Sequence, residues 1–258
     1  MEFNFKKKYG QNFLKNQSII DKIINLIDAS ENDLIIEIGP GSGALTKKIV
    51  KKNSYYIGYE IDKSLDIYLN KLINNKSKII YEDILNVDLD NILKEYKYDK
   101  LYIVGNLPYY ITTPIITKIA NMKNIPYKQI YMVQNEVGDR LTAKPGTKEY
   151  GAITAYLDYF YIINKEFIVY KKEFIPIPKV DSCIISLKIK ENIDNIDTNK
   201  LSKLIKDAFL HKRKNLKNNL YDYDLDKINN ILESHGYNIT NRAEDIPIDV
   251  FIDIIKRY

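Results

Sequence analysis

Asn106-Leu107-Pro108-Tyr109 is the stretch of this chain best equipped for chemistry. Asn106 offers a side-chain carbonyl, the Leu107 backbone offers a second, Pro108 stiffens the turn and Tyr109 adds a flat ring. Two acceptors beside a ring suit a planar group with an exocyclic amine, and an adenine lying on Tyr109 meets that description. Asn followed by Pro and an aromatic also serves as ordinary turn chemistry, so the surroundings decide.

The elements that must position the tetrapeptide read as an α/β alternation. Leu101–Gly105 is an apolar run that predicts a buried strand opening into a loop at Asn106. Ligands in open α/β sheets bind beyond the carboxyl ends of strands. Leu34–Ile38 predicts another strand, running into Gly39-Pro-Gly-Ser-Gly43, with a helix from about Ala44. The glycines leave no Cβ between backbone and ligand, and N–H groups at the helix start can meet a polar or anionic group. Their spacing is not the G-x-G-x-x-G of dinucleotide enzymes. The next strand, Tyr55–Tyr59, ends in Glu60, a carboxylate placed to hold ribose hydroxyls, with Ile61 beside it to cover an adenine face. A third, Lys78–Tyr81, ends in Glu82-Asp83, where Asp83 can accept from an adenine amino group. Each acid alone also fits a solvated strand end or a helix cap. In succession they describe a nucleoside-shaped pocket beside an amino-group clamp.

Downstream, Ile130–Val133 predicts a fifth strand, residues 144–151 a loop, and Ala152–Phe160 a helix. Phe167–Tyr170 and Cys183–Ile189 predict two more strands, joined by Phe174–Ser182, a loop stiffened by spaced prolines near the same rim. Cys183 reads as a buried structural thiol. Upstream, Ile19, Ile20, Ile23, Ile24 and Ile27 recur at helical spacing behind Asn16 or Ser18 as cap. After the polar linker Glu191–Asp197 comes a helix through Leu201–Phe209 that ends in His211-Lys-Arg-Lys214, with Lys217 beyond. Such cations can complement a helix dipole, but their density favours a phosphate-facing patch. Helices over Asp224–Ser234 and from Pro247 complete the chain, giving a main domain over 1–190 and a helical one over 191–258. His211 and His235 have no acidic or cysteine partners at ligand spacing, so no metal is expected.

Composition sets the outer bounds. At 258 residues and 45% hydrophobic, the chain suits a main domain with an appendage. A net charge of +5, unevenly spread, permits a polyanionic partner. One cysteine excludes an internal disulfide framework. No apolar run is long enough to span a membrane and Met1–Gly10 has no signal-peptide core, so a cytoplasmic protein is expected.

The chain resembles the small-subunit (16S-type) ribosomal RNA adenine dimethyltransferases, the KsgA family, over essentially its whole length. The matching stretches are Gly10–Leu14, Glu37–Thr46, Glu60, Glu82-Asp83, Asn106–Tyr109, Phe174-x-Pro-x-Pro-x-Val-x-Ser182, the basic segment Phe209–Asn218 and Arg242–Asp245. Lys212 replaces a usual arginine, Asn215 a usual threonine and Gly138 a usual alanine. None of these removes a side chain proposed for chemistry. The resemblance implies a Rossmann-like class I S-adenosylmethionine-dependent methyltransferase fold, with a seven-stranded sheet and a small helical C-terminal domain. It implies a monomer that dimethylates N6 of two adjacent adenosines near the 3′ end of small-subunit RNA, naked or in an immature subunit. Gln11, Asn12 and Leu14 would lie over the methionine part of S-adenosylmethionine, with Gly39 and Gly41 beneath. Glu60 would hold its ribose, and Ile61, Asp83 and Ile84 would surround its adenine. Asn106 and Leu107, shaped by Pro108, would clamp the target amine, and Tyr109 and Phe174 would sandwich the base. Lys212, Arg213, Lys214 and Lys217 would bind RNA.

Overall fold

A computed structural model describes residues 12–258 of the chain. Nine strands run in chain order: Phe13–Leu14 (β1), Leu34–Ile38 (β2), Tyr55–Tyr59 (β3), Ser77–Ile80 (β4), Leu101–Asn106 (β5), Lys128–Gln134 (β6), Tyr161–Val169 (β7), Phe174–Ile175 (β8) and Ser182–Ile189 (β9). Seven form one sheet in the order β4-β3-β2-β5-β6-β9-β7. Strands β4, β3, β2, β5 and β6 are parallel, and β9 is antiparallel to β6. The apolar runs behave as their composition dictates, since strands covered on both faces need no polar alternation. All five residues of β2 are buried, and so are Leu101–Gly105 of β5. At the far edge β7 is buried at both ends and alternates between exposed and half-buried positions in between. Its polar residues Asn164, Lys165 and Glu166 explain why only its second half was legible in the sequence.

Chain order reverses between β2 and β5, so their carboxyl ends diverge into a crevice. Register brings the ends level: Ile38 pairs with Gly105, the Gly39 N–H donates to the Tyr59 carbonyl (2.9 Å), and the Glu60 N–H donates to the Ile80 carbonyl (3.0 Å). The short β1 pairs with β8, setting Phe13 against Ile175 and Leu14 against Phe174. Helix Gln17–Asn25 follows, capped by Asn16, whose side chain accepts from the Ser18 and Ile19 N–H groups. The helix expected from Ala44 starts later. Gly41 and Gly43 have φ of +59° and +82°, so the chain turns before Thr46–Ile49 coils, and that helix is a single turn.

Among the described residues, 12–138 together with 164–189 form one compact unit, and 139–163 with 190–258 form a second. Residues 139–163 were grouped with the first domain by the sequence reading. They carry helix Ala152–Phe160, buried at six of nine positions, which packs on helices Thr198–Ala208 and Ile248–Arg257. A helix apolar on most sides needs helices around it. Helix Thr198–Ala208 is capped by Asp197 and closes at Phe209, so His211–Lys214 lie beyond its last turn rather than in it. Leu225–Ser234 follows its Asp224 cap, and Gly236 takes the left-handed conformation after it. Among the described residues no helix is long and apolar enough to cross a membrane.

Candidate active site

The carboxyl ends of β2, β3, β4 and β5 open into one cavity of the first unit. Asn12, Leu14, Gly39, Gly41, Glu60, Ile61, Asp83 and Ile84 line it, and so do Asn106, Leu107, Pro108 and Tyr109. Twelve of the fourteen residues proposed for cofactor and base therefore meet in one place. Gln11 lies outside the described residues. Phe174 does not reach the wall: pairing of β8 with β1 turns its ring into the core, fully buried beside Leu14, Val169 and Ile184.

The tetrapeptide is wired so that two acceptors remain. Asn106 Nδ2 donates to the Asn12 carbonyl (2.9 Å), which orients the amide and leaves Oδ1 for an incoming donor. The Leu107 N–H donates to the Met132 carbonyl (3.1 Å), while its own carbonyl has no donor among the described residues. The Pro108 carbonyl is already used, by Thr112 Oγ1 (3.0 Å) and the Ile111 N–H (3.1 Å), and these bonds lead into helix Thr112–Ala120. Tyr109 shares a 2.7 Å hydrogen bond with Ser182 Oγ, and burial raises its hydroxyl above the usual tyrosine range.

Glu60 is 5% exposed and anchored at both oxygens, accepting from the Gly41 N–H (Oε2, 2.9 Å) and the Asp62 N–H (Oε1, 2.9 Å). Burial raises its pKa, against the pull of the Asp62, Gly41 and Ile61 backbone donors. Three backbone donors leave about one of the carboxylate's roughly four lone-pair sites for a hydroxyl. The N–H of Gly41 is thus already spent on Glu60. The missing Cβ atoms also leave room for protein: one on Gly41 would meet Phe13 Cε1 at 2.7 Å, and one on Gly43 would meet Leu72 Cδ1 at 2.3 Å. Asp83 caps the turn Ile84–Asn86 through the Leu85 N–H (2.9 Å), one acceptor of its carboxylate.

Glu37 was missed as a site residue. It is 2% exposed, lines the cavity, and its Oε2 accepts from Tyr56 Oη and Thr46 Oγ1, each at 2.7 Å. Burial pushes its carboxyl up to about 7; the Tyr56 and Thr46 hydrogen bonds pull the other way, and the charge of Glu60 adds to the rise. A lone acid inside Leu-Ile-Ile-Glu-Ile was the available signal, because an unpaired carboxylate is costly in such a strand. Tyr110 and Met132 also line the cavity without having been singled out.

In the second unit Lys212, Arg213, Lys214 and Lys217 are all exposed. Lys212 Nζ donates to the Lys148 carbonyl (2.5 Å), and Asn219 holds the turn that carries them by donating to the Ala208 carbonyl (2.6 Å) and accepting from the His211 N–H (3.2 Å). His235 Nε2 sits 2.9 Å from Asp253 Oδ2. No group of three metal-ligating side chains occurs among the described residues.

This arrangement has relatives. The model of the family described as ribosomal RNA adenine dimethylase matches residues 2–258. A ribosomal RNA small subunit methyltransferase A of Fusobacterium nucleatum subsp. nucleatum is 43% identical, over 99% of this chain and 98% of its own. The protein of that description from Mycoplasma mobile is 39% identical over 97% of each chain. Among solved structures, a dimethyladenosine transferase from Plasmodium falciparum superposes with a TM-score of 0.79 at 24% identity, over 94% of this chain and 95% of that one. The 23S rRNA methyltransferase ErmE gives 0.74 at 20% identity, over 95% and 99%. Both speak to the fold, which with its seven-stranded mixed sheet is the class I methyltransferase fold. A family match from residue 2 to the final residue, joined to relatives of nearly equal length, leaves one assignment: the chain belongs to the ribosomal RNA adenine dimethylases.

Proposed function

We infer that the chain transfers methyl groups from S-adenosylmethionine to N6 of adenosines in small-subunit ribosomal RNA, giving N6,N6-dimethyladenosine. The observation that carries this reading is the pair of available acceptors, Asn106 Oδ1 and the Leu107 carbonyl, beside Tyr109 in a cavity that strand-end acids also line. The acceptor capacity left on Glu60, the exposed Ile61 and the cap residue Asp83 suit the ribose and adenine of the cofactor, with Asn12, Leu14, Gly39 and Gly41 near its methionine part and Ile84 beside the ring. When bound, S-adenosylmethionine supplies a methyl group already activated on a sulfonium.

The protein's task is then the acceptor, because the N6 lone pair of adenine is delocalised into the ring. Asn106 Oδ1 and the Leu107 carbonyl accept the two N6 hydrogens and draw the nitrogen toward a tetrahedral geometry, which frees the lone pair and aims it. Positioning and fixed dipoles of this kind are the principal terms available. The methylated nitrogen is acidic enough to lose its proton without a strong base. Tyr109 stacks on the base, and that contact offsets an unstacking cost of roughly a few kcal/mol.

The first unit is the catalytic one in this reading, and Lys212, Arg213, Lys214 and Lys217 of the second contact RNA phosphates. The motif set supports the finer target, two adjacent adenosines near the 3′ end, and action by a cytoplasmic monomer on RNA or an immature subunit. The test uses tritiated S-adenosylmethionine with under-methylated small subunits, large subunits and naked RNA, followed by nucleoside analysis. Dimethyladenosine in small-subunit RNA is expected; label confined to large subunits, or none at all, refutes the reading.

A further inference from the structure

Tyr110 follows the clamp directly, lines the same cavity, and is nevertheless 61% exposed. A large ring left in water beside the cavity read as an adenosine site has no role in the chemistry derived above. The segment Ile175–Asp181 borders the same opening, as its two ends show. Ile175 pairs with the cavity residue Phe13, and Ser182, just past the segment, bonds the cavity residue Tyr109. The segment is also held from below. Pro178 is buried, Asp181 accepts from the Lys171 N–H (2.8 Å), and the Asp181 carbonyl accepts from the Asn135 N–H (3.0 Å). What it leaves in water is apolar and basic: Ile175 at 44%, Ile177 at 65%, Val180 at 44%, and an exposed Lys179. A fixed, solvent-facing rim of ring, aliphatic and cation is the composition that tracks single-stranded nucleic acid, with bases on apolar faces and phosphates on cations.

We propose that Tyr110 and the 175–180 rim form a second base subsite, which takes the nucleobase adjoining the target adenosine. The subsite rests on the reading of the cavity as an adenosine site. Its physical basis is continuity: a strand that delivers one base into the cavity has its next base within a nucleotide's reach of the mouth, already torn from its stacking partner. Tyr110 offers that base a replacement face, and Lys179 meets the intervening phosphate.

Two measurements on the full chain test this. In the first, a short single-stranded RNA with 2-aminopurine next to an adenosine is titrated with wild type, Tyr110→Ala, Tyr110→Trp and Ile177→Ser, and fluorescence is followed. In the second, KM for under-methylated small subunits is measured for the same proteins, with calorimetry of cofactor binding as the control for folding. Wild type and Tyr110→Trp are expected to quench the probe. Tyr110→Ala is expected to lose the quench and to raise KM on the order of tenfold, the size of a lost base–aromatic stack. Ile177→Ser should move both readouts the same way by less, with cofactor affinity unchanged throughout. Equal quenching and equal KM in wild type and Tyr110→Ala overturn the subsite while leaving the adenosine reading intact. A wild-type protein that labels no small-subunit RNA overturns both.

Discussion

An asparagine amide has one donor end and one acceptor end, so its use as a clamp depends on which end is committed elsewhere. Asn106 gives its Nδ2 to the Asn12 carbonyl, and the acceptor is what remains. Asn106→Ala removes that acceptor while the strand-end residues that suit the cofactor stay in place. Turnover should fall by about 10²–10³, the usual cost of losing one transition-state hydrogen-bond partner. Cofactor affinity by calorimetry should change little; a variant that keeps wild-type methylation rates would remove Asn106 from the chemistry. Glu37 supports a second prediction, about stability. Its carboxyl has an ordinary value of 4.5 and is pushed to about 7 in the fold by burial. Between those values the folded chain binds the proton and the unfolded chain does not. Stability is therefore highest toward the acid end of the window and falls as pH rises through about 7. Glu37→Gln keeps the shape and cannot ionise, so it should flatten this dependence. Thermal unfolding without ligand should show the variant gaining on wild type at about pH 8, by on the order of 1–3 kcal/mol, and the gap closing toward about pH 5.

Secondary elements carry a packing rule that single residues do not reveal. Gly138 sits in helix Asn135–Leu141, and a Cβ there would lie 2.1 Å from Cys183 Sγ on β9. The helix and the strand have divided one volume between them, with the side chain on the strand. Gly138→Ala should cost about 1–3 kcal/mol through overpacking. Cys183→Ala in the same chain should recover most of that, giving a coupling on the order of 1 kcal/mol or more in a double-mutant cycle by chemical denaturation. Additive losses would mean the two sites relax independently. Elements of this kind divide into those legible in the sequence and those not. Strands β2, β3 and β5 announce themselves because burial on both faces demands continuous apolar runs. Asn16 announces its helix because a cap acts within a few residues. Local rules of that sort do not reach the β1–β8 pair, which joins residues far apart in sequence and turns Phe174 inward. Helix Ala152–Phe160 was legible as a helix, but its partners at residues 198–208 and 248–257 were not. Glu37 escaped for a related reason: its polar partners, Thr46 and Tyr56, become neighbours only once β2, β3 and the glycine turn are assembled.

At the scale of the molecule the remaining physics is charge. A net +5 on 258 residues is too small to hold a polyanion by itself, so local density has to do it. Lys212, Arg213 and Lys214 are exposed in a turn past the end of helix Thr198–Ala208, which closes at Phe209, and the helix dipole fades beyond its last turn. Their cost in mutual repulsion is therefore compensated by nothing within the helix, and an external anion is the natural partner. Neutralising all three would lower the formal charge from +5 to +2. If each meets one phosphate, each releases a counterion, and the slope of log affinity against log salt should become shallower by about 2–3. RNA affinity should drop most at low salt, and the wild-type and variant lines should converge as salt rises. Cofactor binding, which is proposed for the other unit, should not follow. Parallel lines would show that these cations meet no phosphate, and would move the search for the RNA surface to the remaining basic residues of the chain.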